Sequence, residues 1–231
     1  MLDHRGAFAA RAQRELIIGG VAYGAYLLAR RNVWNDRGRE RAQLNSARVI
    51  AAERRLGLFV EPAVQTAAGH ARRFVAVLNV GYAAANVTLS IGWLFLLYLR
   101  RDAAFVRERR AVLAAWAGAI PVFAMFPLAP PRKVDGFVDT LLEHGIDIER
   151  PGLVRWYNPI AAMPSYHVAF ATVTGLGLAP RARTLLGRTG WRTYPAAVAA
   201  IVVATGNHYL ADVAAGATLG ALARRLTRLR R

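Results

Sequence analysis

Two histidines in this sequence lie within long, otherwise uncharged runs. His167 stands in the string NPIAAMPSYHVAFA and His208 in TGNHYLADVAAG. Asp212, four residues after His208, is the only acidic residue beyond Glu149. At that spacing a helix puts both side chains on one face, where the carboxylate can accept the imidazole hydrogen bond and fix its tautomer. An imidazole held in this way acts as a nucleophile or a base. The alternative is a purely structural role, in which the His–Asp pair only holds two helices together.

A second candidate element is the string MPSYH at residues 163–167. Pro164 suits the first turn of a helix, and Ser165 offers a hydroxyl beside the free backbone amides of that turn, where anions bind. His167, one turn into this helix, could donate a proton to a leaving oxygen. The string therefore predicts an anion site with a proton donor beside it.

Three further polar residues are candidate ligands of a phosphate group. Arg132 and Lys133 follow a proline-rich stretch and offer cationic donors for phosphate oxygens, although such a pair also serves as a topology anchor. Asn207 could donate a hydrogen bond to an anion, or it could cap a helix that begins before Tyr209. Both interpretations of each residue stay open on the sequence alone.

The elements that position these residues follow from the composition. Hydrophobic residues make up 55% of the chain and charged residues only 19%, and several uncharged runs are long enough for a bilayer core of about 30 Å. A turn near Gly206 divides the last run into two helices. We therefore predict an all-α integral membrane protein, one domain of residues 1–231 with six transmembrane helices at about 16–30, 74–99, 111–129, 162–180, 193–206 and 208–224.

The net charge of +17 is spread over short arginine-rich segments between the predicted helices. Residues 100–110, 181–192 and 224–231 fit cytoplasmic loops and a tail that set orientation and contact anionic headgroups. We therefore expect no nucleic-acid partner and a multi-pass protein of the plasma membrane. The same rule places 130–165 and 206–208 on the extracytoplasmic side. The same alternation of spans also places the arginine-rich segment 30–55 on the extracytoplasmic side, although the rule favours the cytoplasmic side for such a segment.

The region between the first two predicted spans has its own pattern. Residues 42–56 combine apolar residues and arginines at helical spacing, which predicts an amphipathic helix on the membrane surface. Glu53 is expected on its solvated face, with an approach to the candidate site as the alternative. Residues 56–69 are too interrupted for a span, and the first span at 16–30 lacks a cleavage site, so we interpret it as uncleaved.

Cysteine is absent, which excludes disulfides and thiolate metal sites. No cluster of three or four histidine and carboxylate ligands can be assembled around the candidate site, so we expect no metal and no other cofactor. An alternative makes His167 and His208 axial ligands of a haem between two helices, in a membrane electron carrier. A catalytically silent structural or transport protein is a further alternative.

Several of these strings together resemble a known family. PSYH at 164–167 and HYLAD at 208–212 are similar to the second and third signature motifs of the type 2 phosphatidic acid phosphatase (PAP2) superfamily. The strings APPR, NPIAAMPSYHVAFA and VVATGNHYLAD resemble its branch related to fungal inositol phosphorylceramide synthase. The resemblance extends from about residue 56 to residue 220 and is most specific in its second half.

The resemblance implies a six-helix membrane fold with a metal-independent site. In that family the histidine matching His208 attacks phosphorus to form a phosphohistidine, and the aspartate matching Asp212 orients it. The histidine matching His167 protonates the leaving group. Arg132 matches the phosphate-binding arginine of the first motif.

The sequence departs from the broad superfamily pattern in two places. Ile201 and Val202 stand where a Ser-Arg pair is expected before the nucleophile, and Met125 stands where a lysine is expected before Arg132. Neutralisation of phosphate charge therefore falls to the basic pair and to an arginine from residues 48–73, helped by the hydroxyl of the PSYH string and by backbone amides.

These expectations combine into one function and one close variant. We expect a membrane lipid phosphatase that hydrolyses a lipid phosphate monoester or diphosphate through a phosphohistidine intermediate. The variant is a phosphotransferase that moves a phospho-headgroup to an alcohol such as inositol or a sugar. The expected partners are the lipid phosphate substrate, membrane lipids and an alcohol acceptor, and the sequence leaves the oligomeric state open.

Overall fold

A computed structural model describes residues 2–81 and 86–229 of the chain. Within them the chain is helical, and the only pairing of extended backbone is an isolated bridge between Leu128 and Ala161, which confirms the predicted all-α class. Short 3-10 helices lie at Pro131–Lys133 and Ala179–Arg181. The α-helices are α1 (Leu2–Val33), α2 (Asp36–Arg55), α3 (Glu61–Gly69), α4 (Arg72–Val80), α5 (Asn86–Leu99), α6 (Phe105–Met125), α7 (Thr140–Glu143), α8 (Pro151–Val154), α9 (Tyr166–Leu178), α10 (Leu185–Ala204) and α11 (Leu210–Leu229).

Each predicted membrane helix has a helical counterpart in the structure. These counterparts are α1, α4 with α5, α6, α9, α10 and α11. The prediction of one helix over 74–99 falls partly on residues 82–85, which lie outside the described residues. In the described part of the chain, no helix combines the length and the apolar character needed to cross a bilayer. The six crossings therefore stay a prediction.

Helix α9 lies at the centre of the fold and packs against α5, α6, α10 and α11. Small residues let α11 approach it closely. A Cβ atom on Gly216 would collide with the backbone oxygen of Ser165, and one on Gly220 with that of Ala169. Glycines four residues apart form the close-packing pattern seen between membrane helices. The approach brings the start of α9, which carries His167, beside the start of α11.

A buried ion pair ties the far ends of these helices together. Arg224 of α11 donates to Glu108 of α6 at 2.6 Å and to the carbonyl oxygen of Val173 in α9 at 3.0 Å. Both charged residues are almost completely buried. Breaking such a pair by removing one partner typically costs about 3–5 kcal/mol, because the other charge is left uncompensated. Loss of either partner is therefore expected to destabilise the bundle away from the candidate site.

Helix α2 is longer than the amphipathic helix predicted at 42–56, and one of its faces packs on protein. Asn45 donates to the carbonyl oxygen of Pro127 at 2.8 Å, and Ser46 donates to that of Ala129 at 3.0 Å. Glu53, expected in solvent, is only 3% exposed, so that expectation was wrong. The buried face follows the segment that leads into the basic pair, which places α2 beside the candidate site.

Candidate active site

His208 and Asp212 lie at the junction of α10 and α11. The chain turns at Gly206, which has a φ of +68° and confirms the turn predicted there. His208 precedes α11 and Asp212 lies in its first turn, so the pair does not share one helix as the spacing suggested. The His208 Nδ1 atom is nevertheless 3.0 Å from Asp212 Oδ2, and both residues are buried. The carboxylate can therefore hold the imidazole in one tautomer.

His167 faces this pair from the start of α9. The centroids of the His167 and His208 rings are 5.7 Å apart, with an angle of 57° between the ring planes. Helix α9 begins at Tyr166, so His167 lies in its first turn rather than one turn further in. The structure thus brings together the three residues predicted to be catalytic, while their roles stay predictions.

Ser165 joins the starts of α9 and α11, and its contact with an anion stays a prediction. It is the N-cap of α9, where its Oγ accepts the N–H of Val168 at 3.3 Å, and it is completely buried. Its own N–H donates to the carbonyl oxygen of Asp212 at 3.0 Å. Pro164 precedes this cap and is not in the helical first turn, which corrects the sequence interpretation. Ser165 therefore fixes the spacing between the two histidine-bearing helix starts.

Arg132 reaches the His208 loop through Asn207. Its Nε atom donates to Asn207 Oδ1 at 3.0 Å, and its backbone N–H donates to the carbonyl oxygen of Gly206 at 2.8 Å. Asn207 Nδ2 donates in turn to Thr205 Oγ1 at 2.9 Å. Because α11 begins at Leu210, Asn207 does not cap it. Asn207 positions the predicted phosphate-binding arginine, and its direct contact with phosphate stays a prediction.

Two acidic residues that the sequence analysis missed bind the basic pair. Arg132 contacts Asp139 at 3.0 Å and Glu149 at 3.4 Å, and Lys133 Nζ contacts the same carboxylates at 3.3 and 3.2 Å. A bound phosphate would therefore compete with two carboxylates for these cations. The sequence could have indicated these contacts, because both acids lie in the predicted outer loop that also carries the basic pair.

A network of polar side chains supports the loop at 205–208. The hydroxyl of Thr140 in α7 donates to the carbonyl oxygen of Thr205 at 2.9 Å, and Asn79 of α4 donates to that of Thr140 at 2.8 Å. Gln65 bonds both the N–H and the carbonyl oxygen of Val138. Its amide lies so close to Gly206 that a Cβ atom there would collide with it. The His208 loop is thus supported by α3, α4 and α7, including the residues 56–69 that appeared too interrupted for a span.

An open groove of about 750 Å³ lies between α2 and the segment after Arg132. Its lining includes Gln43, Ile50 and Arg54 of α2, and Lys133 on the facing side. Ile50 also packs in the apolar cluster that contains Tyr209, the neighbour of His208. Arg54 comes from the range expected to add an arginine near the phosphate site. The groove therefore connects the surface of α2 with the predicted phosphate-binding residues.

The described residues contain no group of three or more His, Asp or Glu side chains that could hold a metal ion. The nearby carboxylates are bonded instead to other parts of the site. Asp212 pairs with His208, and Asp139 and Glu149 pair with cations.

A family model of the PAP2 superfamily matches residues 47–226, which is most of the chain and includes His167, His208, Asp212 and the basic pair of Arg132 and Lys133. The chain therefore belongs to the PAP2 superfamily. Members of this superfamily are phosphatases and phosphotransferases, so the chain belongs to a class of enzymes that act on phosphate esters. No curated protein and no solved structure matched the chain significantly.

Proposed function

We propose that this protein is a membrane lipid phosphatase that hydrolyses a lipid phosphate monoester or diphosphate through a phosphohistidine on His208. The observation that carries the proposal is the buried pair of His208 and Asp212, with 3.0 Å between the bonded atoms, in a chain of the PAP2 superfamily. Phosphoryl transfer depends mainly on in-line placement and charge stabilisation, and a fixed imidazole beside a cationic pair supplies both.

In the proposed reaction Asp212 accepts the Nδ1–H of His208, so that the Nε2 lone pair is available to attack phosphorus. The bond from phosphorus to the leaving oxygen breaks as the bond to Nε2 forms, and His167 gives that oxygen a proton. Arg132 and Lys133 neutralise the phosphoryl oxygens. Water then attacks the phosphohistidine, its proton returns to His167, and phosphate leaves with His208 restored.

The paired acids Asp139 and Glu149 have a consequence for this cycle. Each contacts both cations of the basic pair, so substrate phosphate takes the place of carboxylate oxygens when it binds. After hydrolysis the carboxylates return to the cations. The exchange keeps the buried guanidinium of Arg132 paired in both states and limits how tightly product phosphate is held.

The second candidate function is transfer of a phospho-headgroup to an alcohol such as inositol or a sugar. The observation that favours it is the groove of about 750 Å³ beside Lys133, because Gln43, Arg54 and Asp135 in its mixed lining offer hydrogen-bonding groups to a hydroxylated acceptor. The resemblance to the inositol phosphorylceramide synthase branch supports the same variant. Family membership favours either of these phosphate ester reactions over the haem alternative.

The activity test incubates the purified protein with lipid monophosphates and diphosphates, with and without inositol or sugars. We expect free phosphate from at least one lipid, since water is the acceptor in the proposed reaction. New diesters formed only when an alcohol is present would replace the phosphatase proposal with the transferase. Absence of both products across the panel, under conditions where the protein is folded, would contradict both candidates. The His208→Ala variant in parallel reactions accounts for contaminating phosphatases.

We place the protein in the plasma membrane, as a multi-pass protein with the site on the extracytoplasmic side. Large apolar side chains exposed on the outer faces of the helices support a lipid environment, since proteins in water rarely expose extensive apolar patches. On α1, Leu16, Val21 and Leu28 are 77%, 68% and 65% exposed, and on α5 Ile91 and Phe95 are 61% and 59% exposed. The arginine-rich segments 100–110 and 181–192, at the starts of α6 and α10, support the orientation.

Single cysteines in this cysteine-free chain test the orientation directly. We expect a membrane-impermeant thiol reagent on intact cells to label Asp135→Cys and to spare Ala103→Cys, because only the first is proposed to face outward. Both positions are exposed, and Asp135 avoids the neighbouring Gly136, whose φ of +92° disfavours a side chain. Both variants should react after the cells are permeabilised. The opposite labelling pattern would reverse the proposed orientation.

A further inference from the structure

Two glutamates from separate helices contact the start of α11, two residues after His208. Glu61, the first residue of α3, accepts the backbone N–H of Leu210 through Oε1 at 2.8 Å. Glu53, near the end of α2, accepts the backbone N–H of Ala211 through Oε1, also at 2.8 Å. Both glutamates are almost completely buried. Neither has a part in the proposed chemistry, although charged residues are rarely buried without a specific partner.

The contacts satisfy backbone groups that the helix itself cannot satisfy. The first N–H groups of an α-helix have no partner within it, and a short polar side chain just before the helix usually accepts from them. In this chain Tyr209 precedes α11, and a phenol on a rigid ring is not a capping acceptor for that turn. Glu53 and Glu61 supply the acceptors instead, where the helix dipole also favours carboxylates.

The two carboxyl groups also interact with each other, and burial and this interaction both raise the pKa of Glu53. Burial raises the pKa of Glu53 above its ordinary value, the N–H of Ala211 acts against this, and the nearby carboxylates of Glu61 and Asp212 raise it further. The phenol of Tyr209 is another titratable group beside the pair. The raised pKa favours the neutral form of Glu53, which lessens the repulsion between the two acids.

The turn that these glutamates hold is also the turn that carries Asp212. A displacement of Leu210 and Ala211 would move the Asp212 carboxylate away from the His208 imidazole, because all of these residues belong to one short stretch of chain. We propose that Glu53 and Glu61 are positioning residues that fix the first turn of α11 and thereby orient Asp212 and His208. The inference rests on the proposed function for the role of His208, whereas the orientation itself can be tested without activity.

Two substitutions at Glu53 distinguish the effect of side-chain length from the effect of negative charge. Glu53→Asp keeps the carboxylate but shortens the side chain by one methylene, so the oxygen loses contact with the N–H of Ala211. Glu53→Gln keeps a carbonyl oxygen at the same reach and removes the ability to carry a negative charge, and its amide can donate to Glu61. Positioning predicts damage from the aspartate and tolerance of the glutamine. A purely electrostatic contribution predicts the reverse order.

The first readout is the imidazole N–H of His208 in the folded, full-length protein. With ¹⁵N-labelled histidine in detergent, the proton bonded to Asp212 should give a low-field resonance, assigned by its loss in His208→Ala. We expect Glu53→Asp to shift or broaden this resonance and Glu53→Gln to leave it in place. An unchanged resonance in Glu53→Asp would overturn the inference, even if the wild-type protein proved to have no phosphatase activity.

The second readout is turnover, with Glu108→Gln as the matched control. Glu53→Asp should lower kcat by about 10- to 100-fold with little change in KM, because small displacements of reacting groups have effects of this size. Glu108→Gln breaks the buried ion pair at the other end of α11 and should lower Tm without lowering kcat. An equal loss of kcat in both variants would show that loosening α11 anywhere has this effect, and would overturn the inference. Wild-type protein that turns over no phosphate ester but gives the expected resonances would overturn only the proposed function.

Discussion

Replacing His208 by alanine is expected to lower kcat by about 10⁴-fold or more, because the proposed reaction passes through that imidazole and removal of a covalent nucleophile has effects of this order. The variant should still fold in detergent, since the loop at 205–208 keeps its contacts with Arg132, Thr140 and Gln65. The measurement is release of phosphate under saturating substrate. A rapid alkaline quench adds a second one, because it preserves the phosphorus–nitrogen bond of a phosphohistidine.

The matched control for this prediction is His70→Ala. His70 is exposed, and its ring contacts the carbonyl oxygen of Thr66, within α3. Its removal should leave both turnover and the labelled intermediate unchanged. Comparable turnover in the His208→Ala and wild-type proteins would end the nucleophile assignment. A labelled intermediate that persists in His208→Ala would move that assignment to another residue.

The features that the sequence predicted correctly depend on local patterns. The four-residue spacing of His208 and Asp212 indicated that their side chains would meet, and they do, although His208 lies before α11 and the two residues do not share that helix. Gly206 marked the break between α10 and α11 because a positive φ favours glycine there. The proximity of His167 to His208 was expected only from the resemblance of their motifs to those of the family. The residues by themselves do not indicate that these two distant segments come together.

The features that the sequence did not reveal are contacts of acidic residues with partners that the residue pattern does not indicate. Glu53 and Glu61 bind α11 from 158 and 149 positions away, and Glu149 binds Arg132 across a loop. A glutamate in an arginine-rich helix usually faces water, so composition favours the wrong environment for Glu53. Its burial becomes favourable only when backbone N–H groups and a second carboxyl surround it, and a residue pattern does not carry that information.

Helix α2 illustrates the same limit for a whole element. Its spacing of apolar residues correctly predicted an amphipathic helix, because helical periodicity is a property of the segment itself. The pattern did not distinguish a face packed on protein from a face packed on lipid, since both media favour small and apolar side chains. Asn45 and Ser46 fall on the packed face, where they bond the carbonyl oxygens of Pro127 and Ala129. Buried polar residues of this kind need specific acceptors, which argues for protein along that face.

Asp212→Asn is expected to lower kcat by about 10⁴-fold, the order seen when the oriented imidazole of a catalytic triad loses its carboxylate. The carboxamide has nearly the same shape, so the fold and the contact of the Asp212 backbone with Ser165 should persist. The loss comes from the missing negative charge, which selects the tautomer of His208 and stabilises the positive charge on its ring during attack. KM should change little, because Asp212 is assigned no contact with the substrate phosphate.

Asp36→Asn is the control for Asp212→Asn, because it makes the same chemical change at a side chain that is 95% exposed. It should leave kcat and KM unaltered. The phosphoenzyme assay then separates the two residues of the pair. Asp212→Asn retains the nucleophilic nitrogen, so it should form the same labelled phosphohistidine slowly, whereas His208→Ala should form none. Turnover close to wild type in Asp212→Asn would remove the orienting role of the carboxylate, and complete loss of the intermediate would instead indicate that the charge is required for attack itself.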